Sequence, residues 1–493
     1  LGGLVGDPIT KKYPEISFEI NDLGVQSFIK QIKKLEVEKF IFISTCSNYG
    51  LIEEDIDAKE DHPLKPLSLY SESKVKNEIF NLGSGENISV NEVVDIIREF
   101  KPDIYIGVED IWAFNGYWDK PWWNNINHII WTTLDSQPIL PQALEAAPKT
   151  KNFFTWASFA ERDMAKVGHE HVKTLHGTIN TEDFYKLSDT KRYQLRNKFN
   201  LANSYIVGFV FRNQLRKSVP NILDGFKIFK KDCRNAKLLL HTHWSEGWDI
   251  PKLAREYNIP DEEILTTYIC KVCNKYSVNP YRGQDIDCHQ CNSKKSCTTT
   301  NVGHGVTEEQ LNEVYNLMDV YCHPFTSGGQ EIPIQEAKLT ELITLVTNYS
   351  CGEEMCEPEA ASLPLKWSEY REHGTEFIKA STQPNSISNQ LTKVLKMKPK
   401  QKEAMGKQAR QWVLDYFSTE AVCAKLEEFI DNSKTVEYDF DFKQRKGNPD
   451  YVMPEIKDDS EWVLHMYGNI LNYENIDEND DGYKHWMKEI EKG

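Results

Sequence analysis

Four cysteines are spaced as two C-x2-C pairs, Cys270 with Cys273 and Cys288 with Cys291, with 14 residues between the pairs. Thiolates on two facing turns can close a tetrahedral shell around zinc, so a structural Zn2+ with no open position for water is predicted. His289 and Cys297 are close enough to serve as alternative ligands, although the four cysteines already complete the shell. Ligation of this kind folds a segment too short to bury a core. The other cysteines are scattered, which suits a reducing compartment plus one metal site. Tyr70 and Lys74 are four apart, a spacing that would put both on one face of a helix. Trp112, Phe114, Tyr117, Trp118, Trp122 and Trp123 form an aromatic run suited to sugar stacking and equally to a packed loop core. His169 and His171 have the look of a metal pair but read as surface residues.

These groups need elements to hold them. Short β-rich runs occur at 39–44 (KFIFIS), 103–107 (DIYIG), 128–133 (HIIWTT), 152–157 (NFFTWA) and 172–176 (VKTLH). Amphipathic stretches separate them, which reads as βαβ units around a parallel sheet. A second series starts at 205–211 (YIVGFVF) and 236–241 (AKLLLH), continues at 320–323 and 343–347, and closes with helices at 400–417 and 419–430. The segment 268–300 interrupts that rhythm and looks inserted. With 493 residues the chain is expected to form two to four domains. A net charge of −17 argues against broad binding of nucleic acid or anionic membrane, each of which needs a basic face. No apolar run reaches the roughly 20 residues of a membrane span, and the opening LGGLVGDPIT lacks signal-peptide character; a cytoplasmic location is expected.

The segment 328–347 (GGQEIPIQEAKLTELITLVT) resembles the donor-site segment of the retaining GT-B glycosyltransferases of group 1, with Pro333, Glu336 and Ala337 matching. Amides of a glycine-rich loop and a helix N-terminus can hold a diphosphate, and a carboxylate one turn in can accept hydrogen bonds from ribose hydroxyls. Upstream, 208–217 (GFVFRNQLRK) resembles the family's phosphate-binding run, which implies that Arg212 and Lys217, five apart, reach the donor's phosphates. The segments 305–325 and 402–430 resemble further parts of the C-terminal lobe, and KPDIYIG, TLDSQPI and LHGTINTEDFYKL parts of the N-terminal one. The family usually carries two glutamates, and the first falls here on Gly328; Glu331 is nearby but out of register. The resemblance implies an α/β fold of two Rossmann-like doubly wound lobes with a zinc-ribbon insert and a small helical C-terminal tail.

Residues 1–99 resemble a different family, the extended short-chain dehydrogenase/reductases that act as NAD-dependent nucleotide-sugar epimerases or dehydratases. FIFISTCSNYG followed by Tyr70-Ser-Glu-Ser-Lys74 matches its active-site strand and helix, which implies Thr45 as the substrate-oriented hydroxyl, Tyr70 as acid/base and Lys74 as its partner. LGGLVG follows no strand signal and so does not supply that family's dinucleotide loop; NAD is not expected, and the triad reads as vestigial. The end of the chain resembles a short helical domain of unknown function through Tyr467, Asp481, Gly482 and Trp486.

The expected organisation is an epimerase/dehydratase-like fragment at 1–99, a GT-B N-terminal lobe at 100–195, a nucleotide-sugar-binding lobe at 196–432 with the ribbon at 268–300, and an acidic linker and helical domain at 433–493. Residues 1–195 are expected to share one sheet, with KFIFIS beside DIYIG. The function this implies is transfer of a sugar from a nucleoside-diphosphate donor to a glycan or other hydroxyl acceptor, through Arg212, Lys217 and Glu336. Alternatives are an NAD-dependent epimerase/dehydratase and a non-catalytic glycan-binding protein.

Overall fold

The computed structural model describes residues 97, 98, 100–440, 456–466, 477 and 479–490. The KFIFIS run, Thr45, Tyr70, Lys74 and Tyr467 lie outside the described residues.

The first lobe is built on four parallel strands in the order β1-β2-β3-β4: β1 (Ile104–Val108), β2 (Asn127–Thr132), β3 (Asn152–Thr155) and β4 (Lys173–Thr174). Helices α1 (Pro141–Ala146) and α2 (Ser158–Lys166) form the crossovers, α1 opening on a proline that presets its first turn. Ile129, Ile130 and Phe153 on the strands and Ala143, Phe159, Ala160 and Met164 on the helices are all buried. Among the described residues β1 pairs only with β2. The aromatic run is largely core. Phe114, Tyr117, Trp118, Trp122 and Trp123 are buried, and Trp123 donates from Nε1 to Lys149 O at 2.9 Å. Trp112 alone of the six is exposed.

After α3 (Asp189–Lys198) the chain enters a second sheet, ordered β12-β11-β10-β5-β6-β7-β8 with β9 also on β7. Its parallel strands are β5 (Tyr205–Val210), β6 (Ala236–His241), β7 (Ile264–Cys270), β10 (Val320–His323), β11 (Thr344–Thr347) and β12 (Leu363–Leu365). Helices α4 (Val219–Phe229) and α5 (Ile250–Glu256) lie along one side of it. On α4, Ile222, Leu223, Phe226 and Phe229 recur at helical spacing and are buried against Phe209, Leu238 and Leu240. Each such side chain contributes about 1.5–3 kcal/mol of burial. Gly208 in β5 leaves room for the Met318 thioether, which any Cβ would strike.

The cysteine-rich segment is continuous with this sheet. The first half of β7 pairs with β6, with Leu240 opposite Thr266, and the same strand runs on into Cys270. There β8 (Tyr276–Pro280) and β9 (Cys297–Thr299) add to it in antiparallel fashion. The chain then continues through α6 (Glu308–Leu317), entered by a capping box of Thr307 and Gln310, and on through α7 (Ile332–Leu339) and α8 (Gly352–Met355). A hairpin of β13 (Trp367–Arg371) and β14 (Ile378–Thr382) follows, then α9 (Pro384–Lys396), α10 (Pro399–Phe417) and α11 (Thr419–Asn432).

The last helices return the chain to the first lobe. Ile179 pairs with Ser418, Val436 N donates to Asp103 Oδ1 at 2.7 Å, and Asn127 Nδ2 donates to Lys434 O at 2.7 Å. Residues 120–122 and the described residues from 439 onward form a second compact unit. Within it α12 (Asp459–His465) and α13 (Asp481–Ile490) pack through Val463 and Tyr483, and Tyr483 OH donates to Ser460 Oγ at 2.6 Å. No helix among the described residues is long and apolar enough to cross a membrane.

Candidate functional site

Residues just past the carboxyl ends of β2, β3 and β4 (Thr133, Ser158 and Gly177) touch loops of the second lobe, and the carboxyl ends of such strands are where open α/β sheets hold ligands. Three loops of the second lobe carry the candidate residues. The loop after β5 carries Arg212, Asn213, Arg216 and Lys217, and the loop after β6 carries Glu246 and Trp248. Asn213 ties them together: Nδ2 donates to Trp248 O at 2.9 Å and Oδ1 accepts from Trp248 N at 3.1 Å. Arg212 is largely exposed and pairs with Glu246 at 3.2 Å.

The third loop follows β10 and spans 324–331, ending at the N-cap of α7. At its end Glu331 is buried, and both Arg216 and Lys217 donate to its carboxylate. His323, at the tip of β10, is 3.0 Å away from Glu331 Oε2 through Nε2, and its Nδ1 lies 2.7 Å from Tyr321 OH. Burial lowers the His323 pKa to about 4, so the ring is neutral near pH 7. An ionised carboxylate can only accept, which places the proton on Nε2 and leaves Nδ1 as an acceptor; the Tyr321 hydroxyl facing it shares its proton between Nδ1 and Val210 O, 3.1 Å away. Burial pushes the Glu331 carboxyl up, but Lys217, His323 and Arg216 outweigh it and hold the group below the ordinary carboxylate range. Burial pulls the Lys217 ammonium down while Glu331 pulls it up. With two further donors on the carboxylate, the ion pair is the form that prevails.

The glycines next to Glu331 set the shape of the loop. A Cβ on Gly328 would lie 2.7 Å from Glu331 Oε1, and one on Gly329 would lie 2.6 Å from Thr133 Cβ at the end of β2. Gly328 N donates to Ser350 Oγ at 3.0 Å, and Cys351 N donates to Gly328 O at 3.2 Å. Gln330 makes two bonds to the interlobe segment, accepting from Gly177 N at 2.8 Å and donating to Gly177 O at 2.9 Å. Opposite, Thr133 Oγ1 donates to Asp110 Oδ1 at 3.1 Å.

Of the residues singled out in the sequence, Lys217 is brought to Glu331, Arg212 to Glu246, and Glu336 to Tyr315, whose hydroxyl donates to its carboxylate. Glu336 as a residue is half-buried, but its carboxyl is surrounded by protein, and burial raises its pKa to about 7. Arg216, His323 and Glu331 complete the cluster; the sequence reading set Glu331 aside as out of register and did not single out Arg216 or His323. The adjacency of Arg216 to Lys217 and the acid just before α7 are signals that could have found two of them, and nothing in the sequence marked His323.

The four ribbon cysteines place their Sγ atoms within 4.8 Å of one another. Cys270 and Cys291 are 3.7 Å apart and Cys273 and Cys288 3.8 Å apart. A regular tetrahedron with Zn–S near 2.3 Å has edges of about 3.8 Å, so this donor set fits zinc. Backbone N–H groups of Val272 and Cys273 point at Cys270 Sγ, which favours its thiolate. His289 and Cys297 are outside this group, and His171 instead bonds Ala147 O through Nε2 at 2.9 Å.

Residues 1–87 match the NAD dependent epimerase/dehydratase family. Among solved structures, the chain is similar to a glycosyltransferase from Rickettsia africae, with 13% identity and a TM-score of 0.52 over 74% of this chain and 88% of that one. It also matches a sucrose-phosphate synthase from Thermosynechococcus elongatus (14% identity, TM-score 0.49, 69% and 76% coverage). The Anabaena protein HepE in complex with UDP and glucose matches at 11% identity and a TM-score of 0.48, with 70% and 81% coverage. The likeness to the Rickettsia protein is one of fold: two Rossmann-like lobes in the GT-B arrangement.

Proposed function

We propose that the chain transfers a sugar from a nucleoside-diphosphate donor to a glycan or other hydroxyl acceptor, with retention of configuration. The observation that carries this reading is the cluster of Lys217, Arg216 and Glu331 at a glycine-rich loop opening α7, where the loops of two Rossmann-like lobes touch. The loop amides and helix N-terminus favour an anion there. The two cations neutralise the charge that grows on the departing diphosphate, an effect worth about 2–4 kcal/mol for one well-placed donor. Arg212 would reach the phosphates by exchanging Glu246 for them. Glu331 supplies a carboxylate beside Gly328, where the sequence has none. Glu336 is assigned to the donor ribose. Bound zinc would be held by Cys270, Cys273, Cys288 and Cys291 as a closed structural shell.

Titration calorimetry with UDP, GDP and NAD tests the reading: a nucleoside diphosphate binds and NAD does not. Binding of NAD alone would reject it. The match of residues 1–87 favours a second reading, an NAD-dependent nucleotide-sugar epimerase or dehydratase using Thr45, Tyr70 and Lys74. In that case Tyr70→Phe abolishes turnover, whereas on the first reading it leaves sugar transfer unchanged.

A further inference from the structure

Lys379 is a buried lysine on β14, 7% exposed, whose Nζ donates to Ser327 Oγ at 2.7 Å. Among the described residues no carboxylate lies within ion-pairing reach of it, and its other cationic contact is the Phe377 ring, with the centroid 5.5 Å away. The ammonium cannot easily withdraw, because the residues on either side of it are tied down. Ile378 N donates to Gln137 O at 2.7 Å on the first lobe, and Ala380 N donates to Thr326 O at 2.9 Å on the loop after β10. A hydroxyl and a ring face are both neutral partners, so the ammonium keeps the capacity to take an anionic group.

The same loop carries the cluster described above. Ser327 receives Lys379, and four residues on Glu331 receives Arg216 and Lys217, with Gly328 and Gly329 between them. The side chains attached to this short loop thus sum to three cations and one carboxylate, 3 − 1 = +2. A local excess of positive charge favours a ligand that brings the counter-charge. Cations thus bond the loop on both sides of the two glycines, at Ser327 and at Glu331.

We propose that Lys379 is an oxyanion-binding residue of this loop cluster, seated at Ser327 to take an acidic group of the bound donor. This rests on the glycosyltransferase reading. The oxyanion comes either from the outer phosphate of the diphosphate or from an acidic group on the transferred sugar.

The test compares full-length wild type, K379M and K379R by calorimetric titration with inorganic pyrophosphate, UMP, UDP, UDP-glucose and UDP-glucuronate, with thermal unfolding of each. Guanine nucleotides replace uracil ones if the wild type prefers GDP. K379M is expected to weaken binding about tenfold or more, as for loss of one charge-assisted bond, with K379R retaining most of the affinity. Loss on pyrophosphate and UDP with UMP unchanged assigns the oxyanion to the outer phosphate. Loss on UDP-glucuronate with UDP-glucose unchanged assigns it to the sugar. K379M is also expected to unfold no earlier than wild type, because it removes a buried charge. Wild-type affinity of K379M for every probe overturns the proposal, as does a K379M that melts several degrees lower while K379R binds no better than it does. A wild type that binds pyrophosphate but no nucleotide, with K379M losing the pyrophosphate, overturns the donor reading and leaves the oxyanion site standing. A wild type that binds none of the probes overturns both.

Discussion

Glu331 occupies the space that a side chain on residue 328 would need: a Cβ on Gly328 would lie 2.7 Å from its Oε1. The two positions are therefore linked, and the carboxylate can sit between Arg216 and Lys217 only because Gly328 is bare. Gly328→Ala is expected to displace the carboxylate and lower nucleoside-diphosphate affinity about tenfold, in the range of one disturbed charge-assisted contact. Unchanged affinity in a folded G328A would show that the two sites are independent.

Glu331→Ala leaves Lys217 buried with its counter-ion gone, and breaking a buried pair in this way is expected to cost about 3–5 kcal/mol of stability. Urea unfolding at pH 7 measures it. The Glu331 carboxyl is held below its ordinary value, so its contribution is fully present above the ordinary carboxylate pKa and is lost as pH falls through the lower folded value. The gap between wild type and E331A should therefore close only in strongly acidic solution. A gap that closes between pH 6 and 8 would refute the assignment.

His323 is buried in its neutral form, with the folded pKa near 4 against an ordinary 6.5. A base lowered in this way adds stability that is present above pH 6.5 and lost as pH falls toward 4. His323→Gln keeps an N–H for Glu331 and removes the titrating ring, so its stability should fall less steeply over that interval. His241, also buried and lowered to about 4, keeps part of the slope in both proteins. Denaturant midpoints at half-unit pH steps provide the measurement, and parallel curves would contradict it.

Several strands were legible because their residues leave little choice. AKLLLH and VYCH are short apolar runs, and they form β6 and β10 with the expected bounds. The cysteine spacing marked the ribbon, because ligand geometry constrains sequence directly. The cluster around Glu331 was harder to read. A register argument along the chain places an acid at 328, whereas the loop curls so that a carboxylate three residues later arrives at the same place. Lys379 carries no motif at all: its burial comes from a hairpin pinned at both flanking residues. In the aromatic run both outcomes were open, and packing against Tyr105 and His128 took Trp123 into the core.

One zinc per chain is expected, and its removal should reach beyond the ribbon. β7 is a buried strand of the parallel sheet that ends on the ligand Cys270, so loosening the knuckles frees the end of a core strand. Chelation followed by hydrogen exchange should show faster exchange at 264–270 as well as at 276–299. Metal analysis without zinc, or exchange unchanged at 264–270, would count against this.

Glu336 offers the last test because its charge and its position can be separated. Burial raises its pKa to about 7 from 4.5, with the Tyr315 hydroxyl opposing the shift and Glu308 adding to it. An acid raised in this way favours the folded state below pH 4.5, and that advantage is lost as pH rises through about 7. Glu336→Gln removes the ionisation but keeps an oxygen for Tyr315. It should therefore match or exceed wild-type stability at pH 8 and lose that margin on acidification; part of the residue remains open to solvent, so the margin will be small. If the carboxylate also accepts the donor ribose hydroxyls, E336Q should raise KM for the donor at pH 8, where wild type is ionised, and differ little at pH 6, where wild type is mostly protonated. A stability change with no pH-dependent change in KM would confine Glu336 to packing against Tyr315 and remove it from the donor site.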